Sequence, residues 1–248
     1  MKKWKTVLAW VLAAVCLTGC SQFKAEHSAV ELKKDGSVMA AVLDTLDKSY
    51  YDEEELKTAI DESVADYNEG KEETAIVVKK FEASEEGVQL YMNYAAAEDY
   101  QAFNNVTFYA GDLQGAYDDH YEFPDTFWQV EKGKVTGTVT RSDILSGLNY
   151  YVLIYSEEMD VKVPGKIVYV STDTAVTGKK TATNIDEVIA QQTEADTKAA
   201  ADGEESEVTE EGELEVEEGV LDTEAQTETS ENTEGEAGEH TLTYIIYE

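Results

Sequence analysis

The alternation of apolar and polar residues predicts a β-hairpin near the start of the folded part. Residues 29–33 and 38–46 both alternate, and Lys34-Asp35-Gly36 separates them. Asp-Gly between two alternating runs favours a tight turn, because glycine readily adopts positive φ. We therefore expect two neighbouring antiparallel strands here.

The next segment changes from the period of a strand to the period of a helix. Asp52 followed by Glu55 is typical of a capped helix start, and Gly70 is a natural stop. The apolar positions between them fall on one helix face: Leu56, Ile60, Val64 and Tyr67. The pattern predicts an amphipathic helix over residues 52–68.

Short strands and helices alternate along the rest of the folded part. Strands are predicted over 74–81, 88–94, 106–110, 134–140, 149–156, 159–163 and 166–171, and short helices over 96–103 and 112–119. Val163-Pro164-Gly165-Lys166 joins the last two strands, and proline then glycine suits a type II turn. That turn would fix the register between these strands.

A dense acidic segment then precedes a final apolar run. Residues 191–240 hold 19 acids and one base, with no aromatic residue and no proline, which predicts a disordered loop; a helix is the competing interpretation.

Residues 241–247 read Thr-Leu-Thr-Tyr-Ile-Ile-Tyr, an alternating β-rich run. Closing the loop costs about 3.5 kcal/mol, whereas burying Leu242, Tyr244 and Ile246 gives roughly 4.5 to 9 kcal/mol as an upper estimate. We expect the run to return as a strand of the main sheet.

Together these patterns predict an α+β fold, mostly antiparallel hairpins with one longer and two short helices, whose C-terminal strand returns after a disordered acidic loop. Residues 28–190 and 241–248 would form a single domain, or two subdomains that share an interface. Residues 191–240 would be the loop.

The first twenty residues match an export signal that ends in a cysteine. Residues 1–19 carry Lys2, Lys3 and Lys5 and then an apolar run too short to span a bilayer, which predicts a cleaved signal peptide. The ending Leu17-Thr18-Gly19-Cys20 resembles the lipobox of bacterial lipoproteins, which implies that Cys20 is acylated and becomes the first residue of the mature chain. Residues 20–27 would then be a short tether to the membrane. An ordinary secretory signal with an incidental cysteine is the alternative.

Net charge excludes one class of partner. The formal charge of −34 becomes −37 once residues 1–19 are removed, because that segment holds three lysines and no acid. Nucleic-acid backbones are bound by basic clusters, so we expect no nucleic-acid partner. Acylated Cys20 would hold the chain to the lipid bilayer against repulsion from anionic headgroups.

Four strings in the folded part carry a further resemblance. They are Lys33-Lys34-Asp35-Gly36, Ser49-Tyr50-Tyr51-Asp52-Glu53-Glu54-Glu55-Leu56-Lys57, Ala97-Glu98-Asp99-Tyr100-Gln101-Ala102-Phe103-Asn104 and Val161-Lys162-Val163-Pro164-Gly165-Lys166-Ile167-Val168-Tyr169-Val170-Ser171. Together these strings resemble a family of uncharacterised extracytoplasmic lipoproteins of anaerobic Gram-positive bacteria. The resemblance implies a location outside the cytoplasmic membrane and a fold, and it implies no catalytic residue.

One segment combines rings and carboxylates in a way that suits ligand recognition. Residues 117–128 read Tyr-Asp-Asp-His-Tyr-Glu-Phe-Pro-Asp-Thr-Phe-Trp. Rings can stack on sugar faces while carboxylates accept hydroxyl hydrogen bonds, so Tyr121, Phe127 and Trp128 are the candidate ligand surface for a glycan or peptide. The alternative is that these rings build a core, which is the commoner use of such spacing.

Catalytic and metal-binding patterns are missing from the sequence. A hydrolytic triad would have to rest on His120, and no nucleotide-binding glycine motif occurs. The acids Asp44, Asp47, Asp52 and Glu53 suit a solvated helix start better than a calcium-binding loop. We expect no cofactor, no metal and no catalytic residue. The sequence favours a non-enzymatic binding or envelope-associated module with an envelope protein or glycan partner. The alternative is an extracytoplasmic carboxylate-dependent hydrolase of an envelope glycan or peptide.

Overall fold

The fold is built from two β-sheets and several short helices. The computed structural model describes residues 25–45, 52–84, 87–146, 149–191 and 242–248. Within these ranges the strands are β1 Ala29–Leu32, β2 Val38–Asp44, β3 Ile76–Ser84, β4 Gly87–Tyr94, β5 Phe108–Asp112, β6 Thr126–Glu131, β7 Lys134–Thr140, β8 Tyr151–Tyr155, β9 Asp160–Lys162, β10 Ile167–Ser171, β11 Ala175–Val176, β12 Thr181–Thr183 and β13 Thr243–Tyr247. The helices are α1 Glu53–Asn68, α2 Ala97–Asn104, α3 Leu113–Asp118, α4 Arg141–Leu145 and α5, residues 186–191.

The first sheet has seven strands in the order β11-β12-β9-β1-β2-β4-β3. Its one parallel pair in the described chain is β1 with β9; the other pairs are antiparallel. The predicted β1–β2 hairpin is confirmed: the Lys33 amide donates to the Ser37 carbonyl at 2.8 Å, and Gly36 has φ 84°. Glycine meets the requirement of this turn for a left-handed residue.

Helix α1 confirms the predicted amphipathic helix within one residue. Asp52 is its N-cap, and its carboxylate accepts from the Glu55 amide at 2.9 Å. At the other end Asn68 joins the helix to β3, since its side-chain oxygen accepts from the amides of Ala75 and Ile76 and its side-chain nitrogen donates to the Ile76 carbonyl. Val64 faces the core.

The second sheet has six antiparallel strands in the order β5-β8-β13-β10-β6-β7. The C-terminal strand β13 lies inside it, paired with β8 on one side and with β10 on the other. All five residues of β13 are buried, so the predicted return of the chain end to a sheet is confirmed. The sequence estimate counted the burial of Leu242, Tyr244 and Ile246; Ile245 and Tyr247 are buried as well, because the strand is covered on both faces.

Two apolar clusters explain this burial. One lies between the sheets and combines residues such as Val30 and Met92 with Leu153 and Ile245. The other covers the opposite face of the second sheet, where α3, α4 and the segment after α3 pack on residues such as Ile246. The arrangement is therefore layered: first sheet, second sheet, then short helices, with α1 and α2 also contributing to the cluster between the sheets.

The predicted turn over residues 163–166 is wrong. Strand β9 belongs to the first sheet and β10 to the second, so this segment crosses between sheets and does not close a hairpin. Gly165 does not adopt the positive φ that its place in a type II turn requires. The crossing is held by other chain segments: the amide of Val163 donates to Lys180, and the amide of Ile167 donates to Lys179.

The predicted signal peptide, Cys20, and residues 192–240 of the predicted acidic loop lie outside the described residues. Residue 191, in α5, is the last described residue before the gap, and Leu242 is the first described residue after it.

Candidate ligand groove

The structure separates two of the residues predicted to share a ligand surface. Phe127 and Trp128 are neighbours on β6, so their side chains point to opposite faces of the sheet. Phe127 is fully buried against Tyr244, with ring centroids 6.1 Å apart, and it does not contribute to a surface. Placing Phe127 in a ligand surface was wrong, because strand alternation directs it into the outer apolar cluster.

Trp128 is half-buried on the other face. Its indole nitrogen donates to the Thr172 carbonyl at 2.9 Å, and its ring lines a groove with Gly133 and Lys134. Tyr121 does not line that groove. The three predicted residues therefore do not form one site.

Tyr121 instead lies where two neighbouring grooves meet. Both grooves are lined by Tyr121 and Leu242. We call the combined surface the Tyr121 groove. One arm is lined by Tyr117, Glu122, Arg141 and Leu145, and the other by Gln101, Asn105, Glu157 and Glu158.

Local sequence explains how Tyr121 reaches this position. Asp112 caps α3 by accepting from the Gly115 amide at 2.7 Å, and His120, with φ 67°, turns the chain back after the helix. The Tyr121 amide then donates to the Ala116 carbonyl at 3.1 Å. The Tyr121 ring packs near Tyr109, with centroids 5.2 Å apart. Burial, and then the charge of Asp119, raises the pKa of Tyr121 above its ordinary value.

Arg141 fixes the position of the segment containing Phe123 and Asp125, which lines the first arm. Its guanidinium contacts the Asp125 carboxylate at 2.7 Å and donates to the Phe123 carbonyl at 2.9 Å. The Tyr244 hydroxyl donates to the Glu122 carbonyl at 2.7 Å and so joins the same segment to β13. Because Asp125 balances the charge of Arg141, the exposed carboxylate of Glu122 leaves this arm with a net negative charge.

The second arm contains an unusual carboxyl group, Glu157. Its side chain accepts a hydrogen bond from the Tyr100 hydroxyl at 2.8 Å, and burial raises its pKa above the ordinary value of 4.5 despite that bond. Burial and the Glu157 charge in turn raise the pKa of Tyr100. Asn184 fixes the backbone here by donating to the carbonyl of Glu157 and to the hydroxyl of Thr243.

No protein-family model, curated protein or solved structure matches this chain. The lipoprotein resemblance therefore stays a prediction.

Sequence reasoning missed Glu157. It stands in the polar string Ser156-Glu157-Glu158, which carries no local signal of burial. Its surroundings come from Tyr100, 57 positions away in the chain, and from the return of Leu242 beside it. Only the tertiary fold brings these groups together.

The remaining candidates from the sequence, His120 and a metal-binding cluster, do not form a site in the described residues. His120 is exposed, and its Nδ1 lies 2.6 Å from the Asp118 carbonyl in the turn after α3. Among the described residues, no group of three or more His, Cys, Asp or Glu side chains is arranged to hold a metal ion. None of the helices in the described ranges has the length and apolar character needed to cross a bilayer.

Proposed function

We propose that this chain is a lipid-anchored, extracytoplasmic, non-enzymatic module that binds a neutral envelope glycan in the Tyr121 groove. The observation that carries the membrane part is the string Leu17-Thr18-Gly19-Cys20 at the end of a short charged and apolar leader. The groove supplies the binding part.

The start of the folded domain supports a short membrane tether. The Ser28 hydroxyl exchanges hydrogen bonds of 3.1 Å with the backbone of Leu43, and the Ser28 carbonyl accepts from the Asp160 amide at 2.9 Å. The chain is thus fixed eight positions after Cys20, a reach of at most about 29 Å. A domain anchored at Cys20 would therefore work close to the bilayer.

The chemistry of the groove favours a neutral glycan over an anionic polymer. Tyr117 exposes 56% of its surface and offers an apolar ring face, and Tyr121 adds a second ring. Glu122, Glu157 and Glu158 can accept hydrogen bonds from sugar hydroxyls and repel anions.

The anchor is tested by metabolic labelling with a fatty-acid analogue. We expect label on the wild-type chain and on the Cys16→Ser variant, because Cys16 lies within the predicted leader. The Cys20→Ser variant should carry none. Equal labelling of the two variants would contradict an anchor at Cys20.

The groove is tested by calorimetric titration with soluble oligomers of N-acetylglucosamine, a neutral sugar chain. We expect Tyr117→Ala to weaken binding about tenfold, which corresponds to about 1.4 kcal/mol. Tyr151→Ala is the matched control, since Tyr151 is another exposed tyrosine that does not line the groove. Equal affinities for wild type and both variants, or no binding by the wild type, would contradict the groove assignment.

Glu157 favours a second candidate, a carboxylate-dependent hydrolase of envelope glycans. A carboxyl group with a raised pKa at a groove can act as a general acid. The test is release of reducing ends from the same oligomers by the wild type and by Glu157→Gln. Turnover by the wild type that Glu157→Gln abolishes would replace the non-enzymatic proposal.

A further inference from the structure

The second arm of the Tyr121 groove has two walls that offer opposite hydrogen-bonding groups. One wall is the turn that follows α2, and the other is the loop between β8 and β9. The Thr107 amide donates to the Ser156 hydroxyl, and the Ser156 amide donates to the Thr107 carbonyl, both at 3.2 Å. These two bonds join the walls, so the backbone fixes the spacing between them.

Gln101 places a hydrogen-bond donor on the first wall. Its side-chain Oε1 accepts from the Phe108 amide at 3.0 Å, and its main-chain carbonyl accepts from the amides of Asn105 and Val106. The bond to Phe108 fixes the orientation of the side-chain amide, because a backbone N–H donates to the oxygen and not to the NH₂ group. The Nε2 group of Gln101 has no acceptor among the described residues, and Gln101 lines the arm. It is therefore a donor that a ligand can use.

Glu157 places an acceptor on the opposite wall. Its Oε2 accepts from the Tyr100 hydroxyl at 2.8 Å, whereas its Oε1 accepts no hydrogen bond within the described ranges. Asn184 holds the backbone here by donating to the Glu157 carbonyl at 2.9 Å. The second oxygen of a carboxylate needs a donor of its own, so this wall is suited to an N–H or O–H group.

A secondary amide fits between these walls. Its carbonyl oxygen can accept from Nε2 of Gln101 while its N–H donates to Oε1 of Glu157. Apolar groups of Ala102, Val106 and Leu242 line the same arm and suit the methyl group of an acetyl substituent. A sugar hydroxyl offers one oxygen for both walls, so it pairs with them less completely than an amide does.

We propose that the second arm selects sugars that carry an acetamido group, with Gln101 and Glu157 as the residues that determine this specificity. The inference rests on the proposed binding of a neutral glycan in the Tyr121 groove, and it names the class of sugar. A site that hydrogen-bonds one substituent discriminates against a ligand without it, because its polar groups are then left unpaired. Peptides also contain secondary amides, but the ring of Tyr121 at the junction of the arms favours a sugar face.

Two matched series of oligomers test this specificity by calorimetric titration of the full chain. One series consists of N-acetylglucosamine, and the other consists of identically linked glucose, which has a hydroxyl in place of each acetamido group. We expect the wild-type chain to bind the N-acetylated series about tenfold or more tightly than the glucose series.

Gln101→Glu isolates the donor. The variant keeps an oxygen for the Phe108 amide, so the turn is preserved, but it replaces Nε2 by a second oxygen. We expect it to bind the two series with equal affinity. Gln89→Glu is the matched control, because Gln89 is exposed on β4, does not line the groove, and its substitution adds the same charge. This control should keep the preference of the wild type.

The outcomes separate this inference from the proposed function. Equal affinity of the wild type for both series, or a preference that Gln101→Glu retains, would overturn the acetamido assignment and leave the glycan groove in place. Binding of neither series would contradict the glycan groove and this inference together. A trialanine peptide with blocked ends is the third probe. If the chain binds this peptide and neither sugar series, and Gln101→Glu weakens that binding, the arm recognises a peptide and the proposal is overturned.

Discussion

The backbone of Gly165 passes the chain end so closely that a β-carbon on Gly165 would lie 1.8 Å from the carbonyl oxygen of Glu248. The neighbouring residue, Lys166, exchanges two backbone hydrogen bonds with Glu248, of 3.2 and 3.0 Å. The segment that crosses from β9 to β10 and the end of β13 therefore stabilise each other. This relationship explains why a glycine stands here although its φ is not positive.

Substitution of Gly165 by alanine should destabilise the fold. The new methyl group would meet backbone and not a flexible side chain, so the end of β13 has to move, at a cost of about 1 to 3 kcal/mol in the free energy of unfolding. Gly137→Ala is the control, because its nearest neighbour would be a side-chain atom of Gln129 at 3.8 Å. Urea denaturation measures both. Equal midpoints for the two variants would contradict the close approach.

The two adjacent isoleucines of β13 should both be important for stability. Ile245 is buried in the cluster between the sheets, and Ile246 is buried in the cluster under the short helices. Truncating either to alanine should lower the free energy of unfolding by about 2 to 5 kcal/mol. If Ile246→Ala were neutral while Ile245→Ala was costly, the outer layer would not cover this strand as described.

Glu157 should make the domain less stable as pH rises. Burial raises its folded-state pKa above 4.5, so the folded protein binds more protons than the unfolded chain between 4.5 and the raised value. The contribution of the protonated group is complete below pH 4.5 and is lost as pH rises through the folded pKa. Glu157→Gln should remove this decline, which denaturation at a series of pH values measures. An unchanged slope would contradict a raised pKa.

Glu31 should have the opposite effect on the pH dependence of stability, because its contribution increases as pH rises. Burial opposes its ionisation, but the ion pairs with Lys33 and Lys162 outweigh burial, so its pKa lies below the ordinary value. Its contribution is present above pH 4.5 and is lost as pH falls through the lowered folded pKa. Glu31→Gln should cost up to about 1 kcal/mol at neutral pH, because both lysines are partly exposed, and should cost nothing in strong acid. A cost that persists in acid would point to packing and not to charge.

Local patterns were sufficient to predict most elements of the fold. The Asp35-Gly36 turn and the Asp52 cap act on their nearest neighbours, so the sequence alone predicts the β1–β2 hairpin and helix α1. The return of residues 243–247 followed from a balance of burial against loop closure. These features depend little on which distant segment packs where.

Features that depend on distant partners were not predicted. The Pro164-Gly165 pair looks like a hairpin turn, yet the pairing of β9 with β12 and of β10 with β13 sends its two strands to different sheets. Phe127 and Trp128 alternate as any strand does, but the sequence does not say that one face meets Tyr244 and the other Thr172. Glu157 is partly buried and accepts a hydrogen bond from Tyr100, which is likewise a contact between distant parts of the chain.

Mass spectrometry of the chain purified from native membranes tests the lipid anchor most directly. We expect a mature protein whose first residue is Cys20 carrying a lipid on its thiol, with residues 1–19 removed. A product that keeps those nineteen residues, or that has an unmodified thiol at Cys20, would contradict the membrane-anchored module.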